Sequence, residues 1–151
     1  MRHGPAEDPS ATVRDFDRAL TPAGRDVVAR VAGAIHRERE LPTRVLSSPL
    51  VRARETAELV VEHAVPAVAL EIEREIGPGG DLRGLLLSHA RLLGSPMFVG
   101  HEPDVSSVTA QLTGSLGSGF DRAMIAAIDL EEGARARLAW ILDPRTLTFG
   151  R

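Results

Sequence analysis

The chain has 151 residues, a formal net charge of −3 and 43% hydrophobic residues, enough to bury the core of one domain and too apolar for a disordered chain. Its charge gives no general drive toward nucleic acid or anionic membranes. The absence of cysteine excludes disulfide and thiolate chemistry and fits a cytoplasmic enzyme.

No apolar run approaches the roughly 20 residues that span a bilayer, and no charged-then-apolar secretory leader is visible. With four Phe, one Trp and no Tyr, the core is expected to be built from Val, Leu, Ile and Ala. All 18 basic residues are arginine. An arginine is therefore informative only through its place in a pattern.

The chain opens on Met1 and the triplet Arg2-His3-Gly4. Residues 12–20 are polar and read as a loop. Thr21-Pro22 supplies an N-cap and a first-turn proline, and Val27, Val28, Val31, Ala32 and Ile35 recur at helical steps, so a helix is expected over 22–39. Residues 44–48 form a short β-like run. Ser48-Pro49 repeats the cap-and-proline signal and opens a second helix running to about Glu62. A strand is expected over 68–72 and a turn at Gly77-Pro78-Gly79-Gly80. Asp81 then precedes a helix carrying Leu82, Leu85, Leu86, His89 and Leu93. Residues 96–100 are almost wholly apolar, the pattern of a strand covered on both faces. They lead into His101-Glu102-Pro103 and a helix holding Val105, Val108 and Leu112. After a flexible loop at 114–119, residues 123–130 and 134–142 read as an antiparallel hairpin turning at 131–133.

Alternating strands and helices with a terminal hairpin predict a single α/β domain over 1–151. Its central sheet is expected to be mostly parallel, with helices on both faces. Such a fold needs a strand feeding its first active loop, and only Met1 precedes Arg2. The first strand is expected to be truncated or missing.

Ligands in these folds sit beyond the carboxyl ends of the strands. Three stretches fall at such ends: Arg2-His3-Gly4, residues 47–52, and Gly100-His101-Glu102. Together they place two histidines, Arg2 and Arg52 on one rim, and the helix starts at 49 and 102 add backbone donors. Neutral imidazole is a good nucleophile near neutral pH, and arginine forks match phosphate oxygens. Such a pocket suits a phosphoryl group.

Five stretches carry a family resemblance: RHG at 2–4, DRALTPAG at 17–24, SSPLVRARETA at 47–57, VGHEP at 99–103, and Trp140-x-x-x-Pro144. The short GPGGD at 77–81 adds to them. In this order they resemble the histidine phosphatase superfamily, and the small size is similar to its SixA-like phosphohistidine phosphatases. The resemblance implies His3 as the nucleophile that carries the phosphoryl group. It implies Arg2 and Arg52 as phosphate-oxygen ligands and His101 as a further donor, with His3 neutral and His101 preferably protonated. Arg18 is either at the pocket edge or a solvated loop residue. Two carboxylates are candidate general acids: Glu75, otherwise a solvated charge, and Asp81, otherwise a helix N-cap.

His36, His63 and His89 read as surface or half-buried helix residues. No histidine pair has metal-ligand spacing with a carboxylate on the same face, so no metal and no cofactor are expected. Residues 77–80 lack the lysine of a nucleotide loop, and Ser47 and Ser48 lack a nucleophile-elbow context. The leading reading is a metal-independent phosphatase acting on phosphohistidine in signalling or phosphotransfer proteins. The alternatives are a small-molecule phosphomonoesterase of the same superfamily and a phosphate-binding protein without turnover. An open pocket favours the protein substrate; a walled one with a carboxylate by the leaving group favours the small molecule.

Overall fold

The computed structural model describes residues 1–89, 94–115, 119–130 and 136–150. Three strands, β1 (Arg44–Ser47), β2 (Leu70–Ile72) and β3 (Pro96–Val99), form a parallel sheet in the order β2-β1-β3. Three more, β4 (Ile125–Leu130), β5 (Ala136–Leu142) and β6 (Phe149–Gly150), form an antiparallel sheet in sequence order. The expected hairpin thus gains a third strand. β6 is only two residues long and left no periodic trace in the sequence.

Helices cover both faces of the parallel sheet. Val45 and Leu46, neighbours on β1, are both fully buried and point to opposite sides. Val45 joins a cluster with Val28, Val31 and Ile35 of α1 (Pro22–Arg37) and Val60 of α2 (Val51–Ala64). Leu46 joins Leu82 of α3 (Leu82–His89) and Val105 and Val108 of α4 (Asp104–Thr113). The alanines Ala53, Ala57 and Ala64 on the buried face of α2 present little side chain, so α2 can pack closely against α1 and the sheet.

Helix starts follow local chemistry. Thr21 Oγ1 accepts from Gly24 N at 3.0 Å, and Pro22 takes the first helical position, as the sequence predicts. The helix ends at Arg37, two residues earlier than expected, because Arg39 turns left-handed with φ of 58°. α2 begins at Val51 with Leu50 as its uncapped N-cap, not at Ser48. The Ser48 hydroxyl is shared: it accepts from Leu50 N at 3.3 Å and also contacts His101 Nε2 at 2.8 Å. α4 starts at Asp104, after a cis Glu102–Pro103 bond. Leu93, residues 116–118 of the expected loop, the turn at 131–133 and the first two residues of the expected strand 134–142 lie outside the described residues.

Met1–His3 take the place expected of the first strand's carboxyl end. On one side Met1 N donates to Phe98 O (2.8 Å), Gly100 N to Met1 O (3.0 Å) and His3 N to Gly100 O (3.0 Å). On the other side Arg2 N donates to Met124 O (3.0 Å) and Ala123 N to His3 O (3.1 Å). Three residues therefore fasten the parallel sheet to the antiparallel one. Met1 also lines a cleft of about 480 Å³ between β3 and β4, whose walls include Phe98, Ile125 and Trp140. His3 and His101 do not line it.

Candidate active site

Two strand ends and the N-terminal stub bring the site together. His3 follows the paired residues Met1 and Arg2, His101 follows β3 by way of Gly100, and Arg52 lies in the first turn of α2, just past β1. All three side chains are buried: His3 is 8% exposed, His101 4% and Arg52 6%. The imidazole centroids are 5.1 Å apart with the rings tilted by 54°. Residues nearly a hundred positions apart in the chain thus face each other, as the motifs predict.

The backbone around His3 permits no larger neighbour. A Cβ on Gly4 would lie 2.5 Å from Val28 Cγ2 and 3.3 Å from Leu20 Cδ2, so only glycine lets this turn nest against α1. Gly4 N donates to Thr56 Oγ1 at 3.0 Å, and Thr56 Oγ1 donates to Arg52 O at 2.7 Å. One threonine therefore ties the turn after His3 to the α2 turn that carries Arg52.

Hydrogen bonds assign the His3 tautomer. Nδ1 lies 2.7 Å from Gly4 O, a pure acceptor, so Nδ1 carries the proton. Nε2 is left with its lone pair and receives a long hydrogen bond from Arg52 Nε at 3.3 Å. Burial, followed by the charges of Arg52, Arg2 and Arg122, pushes the His3 pKa down to about 4, against the opposing Gly4 hydrogen bond. His3 is neutral at physiological pH, as the resemblance implies.

His101 differs from expectation. Burial first, then His3 and Arg52, push its pKa down to about 3, with Asp15 opposing. Burying a second cation beside Arg52 is costly, which holds the ring neutral near pH 7. Its Nε2 is 2.8 Å from Ser48 Oγ, and its Nδ1 is buried without a partner.

Arg52 is held from its far side. Its NH1 donates to Asp15 O (2.6 Å) and its NH2 to Asp15 Oδ2 (3.1 Å). Arg18 reaches the same residue, with NH1 2.7 Å from Asp15 Oδ1 and Nε 2.7 Å from Glu7 O. Arg18 therefore stands behind the pocket, joined to it through Asp15. Hydrogen bonds from Arg18 and then Arg52 hold the Asp15 carboxyl below its usual range, outweighing its slight burial. Arg2 donates from NH1 to Phe120 O at 2.5 Å and keeps a buried, unpartnered Nε. The Phe120 segment is latched by Glu102, whose Oε1 accepts from Phe120 N at 2.8 Å.

The two candidate acids stand apart from this group. Asp81 Oδ1 accepts from Gly84 N at 2.8 Å, the N-cap bond of α3. Glu75 is exposed, and its Oε2 accepts from Asp81 N at 2.9 Å. Among the described residues neither carboxylate bonds to His3, His101, Arg2 or Arg52.

Sequence reading missed Asp15 and the second role of Ser48. Asp15 sits in a polar loop with no periodicity, and its only trace is its place three residues before Arg18. Ser48 reads as a cap because Ser-Pro is a strong cap signal, and nothing local reveals a histidine approaching from β3.

The family model of the histidine phosphatase superfamily (branch 1) matches residues 1–91. The chain belongs to the histidine phosphatase superfamily. Within it the chain is SixA-like: it is 29% identical to the phosphohistidine phosphatase SixA of Escherichia coli (strain K12), over 100% of this chain and 96% of the relative. The structure of the protein histidine phosphatase SixA complexed with tungstate superposes with a TM-score of 0.86 at 30% identity, over 98% of this chain and 97% of that one. A putative phosphohistidine phosphatase SixA from Agrobacterium tumefaciens gives 0.82 at 28% identity, over 95% of each chain. Superfamily membership makes the chain a phosphatase-type hydrolase. No helix among the described residues is long and apolar enough to cross a membrane.

Proposed function

We propose that residues 1–151 form one phosphatase domain that works without a metal ion, through a phosphohistidine intermediate at His3. The observation that carries this reading is the fixed tautomer of His3. Its Nδ1–H is tied to Gly4 O, so the Nε2 lone pair is the reactive one, and it lies beside the guanidinium of Arg52. In the first step Nε2 forms a bond to phosphorus as the bond to the leaving group breaks. In the second, water attacks phosphorus, the P–Nε2 bond breaks, and inorganic phosphate departs. Splitting the transfer in this way is the logic of covalent catalysis.

Arg52, Arg2 and His101 act as donors to the phosphoryl oxygens. Such preorganised donors are commonly a large part of catalysis of phosphoryl transfer. His101 needs no positive charge for this. With Ser48 Oγ–H donating to Nε2, Nδ1 carries the proton and is the buried nitrogen left to donate.

The substrate reading rests on the carboxylates. Asp15 is the carboxylate nearest this group, and two arginines keep it ionised, so it has no proton to give a leaving alkoxide. Asp81 is bound as a helix cap and Glu75 to the adjoining backbone. A site without a proton donor suits a leaving group that departs already protonated, as the imidazole of phosphohistidine can. Phosphohistidine in signalling or phosphotransfer proteins is therefore the favoured substrate, in a cytoplasmic setting. The tungstate bound by a SixA relative fits a pocket for tetrahedral oxyanions.

In the deciding experiment the protein is mixed with a phosphohistidine peptide, quenched at mildly alkaline pH and read by mass spectrometry. The expected result is one added phosphoryl group on the peptide containing His3, lost in His3→Ala together with turnover. Full activity in His3→Ala would remove the nucleophile. Faster hydrolysis of small phosphomonoesters than of the peptide would move the substrate to the small-molecule class.

A further inference from the structure

A second arginine-rich feature adjoins the site. Arg2, Arg30, Arg122 and Arg145 line a groove of about 410 Å³ with Pro5, Val27, Asp121 and Pro144. They come from four separate segments: the N-terminal stub, α1, the turn before β4 and the turn after β5. Asp121 is the one acidic residue of the lining, and Arg145 NH2 holds it at 2.8 Å. Arg30 and Arg122 are exposed and make no ion pair among the described residues. The groove therefore carries three uncompensated positive charges on a chain whose net charge is −3.

Two observations join the groove to the reacting centre. Arg2 lines the groove and is the residue before His3. Arg122 precedes Ala123, whose N donates to His3 O at 3.1 Å. A substrate with its phosphoryl group at His3 would present its neighbouring atoms to these arginines.

We infer that this groove docks the acidic side chains that flank a phosphorylated histidine on a protein substrate. The inference rests on the proposed phosphatase function and adds which phosphoproteins are preferred. A protein face fits better than a small dianion for a physical reason. The cations are spread over four chain segments, two of them are exposed, and the apolar residues Pro5, Val27 and Pro144 share the lining. Each exposed pair contributes little alone. Several acidic groups on one surface sum to useful steering and affinity, and they do so in a salt-dependent way.

The test uses the full chain and three peptides of equal length carrying a non-hydrolysable phosphohistidine analogue, flanked by Asp/Glu, by Ser/Gly or by Arg. Binding is read by fluorescence anisotropy. At low salt the acidic peptide is expected to bind about tenfold more tightly than the neutral one, with the advantage shrinking as salt is raised. Arg30→Glu, an exposed helix position, and Arg30→Glu with Arg145→Gln should erase most of that advantage. Arg37→Glu, at the far end of the same helix, should not. Turnover of p-nitrophenyl phosphate should stay within about twofold in the Arg30 variant, because a rim charge acts on encounter rather than on chemistry.

Equal binding of the acidic and neutral peptides by the wild-type chain overturns the inference without needing any variant to fold. An equal loss of p-nitrophenyl phosphate turnover and of peptide binding in Arg30→Glu also overturns it. Failure to hydrolyse a phosphohistidine peptide strikes the proposed function instead, since the binding preference is measured without turnover.

Discussion

Asp15 belongs to none of the signature motifs, yet it fixes the orientation of the arginine that touches His3. Its backbone carbonyl and one carboxylate oxygen each take a hydrogen bond from Arg52, while the other carboxylate oxygen is bound by Arg18. This contact leaves Arg52 Nε pointed at His3 Nε2. Asp15 is more than half exposed, so its role is to position Arg52 rather than to support the core. Asp15→Ala should lower kcat about tenfold, a modest loss for a misplaced catalytic group. Inhibition by inorganic phosphate should hold or strengthen, because a nearby negative charge has been removed. A purely structural residue would weaken both, so steady-state kinetics with phosphate as inhibitor separate the two. At this scale the sequence is most informative where chemistry demands a rare combination. The convergence of His3, Arg52 and His101 was legible from Arg-His-Gly, Ser-Pro-x-x-Arg and Gly-His. Asp15 was not, because a loop aspartate has many ordinary uses and its partner lies 37 positions away. The low pKa of His101 was not legible either, since burial against His3 is a property of three dimensions.

Secondary structure was legible wherever one face is buried and one is wet. The apolar period of α1 and its Thr-Pro start predict its first residue correctly. Ser-Pro at 48–49 has the same form but a different result: the Ser48 hydroxyl is shared between Leu50 N and a histidine on another element, and the helix starts at Val51. Element starts fail where tertiary contacts compete for the capping group. Asp81 is the converse case, a candidate acid that is a cap. Its Oδ1 bond to Gly84 N is the standard interaction for the first turn of α3. Asp81→Ala should therefore cost about 1 kcal/mol of stability and leave kcat with a phosphohistidine peptide unchanged. Urea denaturation measures the first and peptide turnover the second. A large drop in kcat with no loss of stability would restore Asp81 as an acid. The hairpin pattern of β4 and β5 was readable from alternation, whereas β6 pairs through only two residues, Phe149 and Gly150.

At the scale of the molecule, the fold is fastened and the site assembled by the same few residues. His3 N and O bridge the β3 and β4 sides of the sheet while its side chain enters the pocket. Stability and activity should therefore share one pH dependence. The unfolded chain has two ordinary imidazoles near pKa 6.5, whereas the native pair is held down to about 4 and about 3. Between these limits the unfolded state binds more protons, so stability rises with pH through that window, and the buried Met1 amine, pushed down to about 5, extends the rise above it. Acidification from pH 7 to 4 should progressively lower the thermal midpoint. The double substitution His3→Gln with His101→Gln should reduce that slope, leaving the part due to the buried Met1 amine, whose pKa burial pushes down to about 5. The acid limb of kcat/KM should follow the same cause. It reports the free enzyme, in which the coupled pair stays neutral far below the ordinary histidine range, so activity should persist to about pH 4 to 5 where the fold survives. An acid limb near 6.5, with a pH-independent midpoint above pH 4, would mean that the two rings are not buried together as the structure places them.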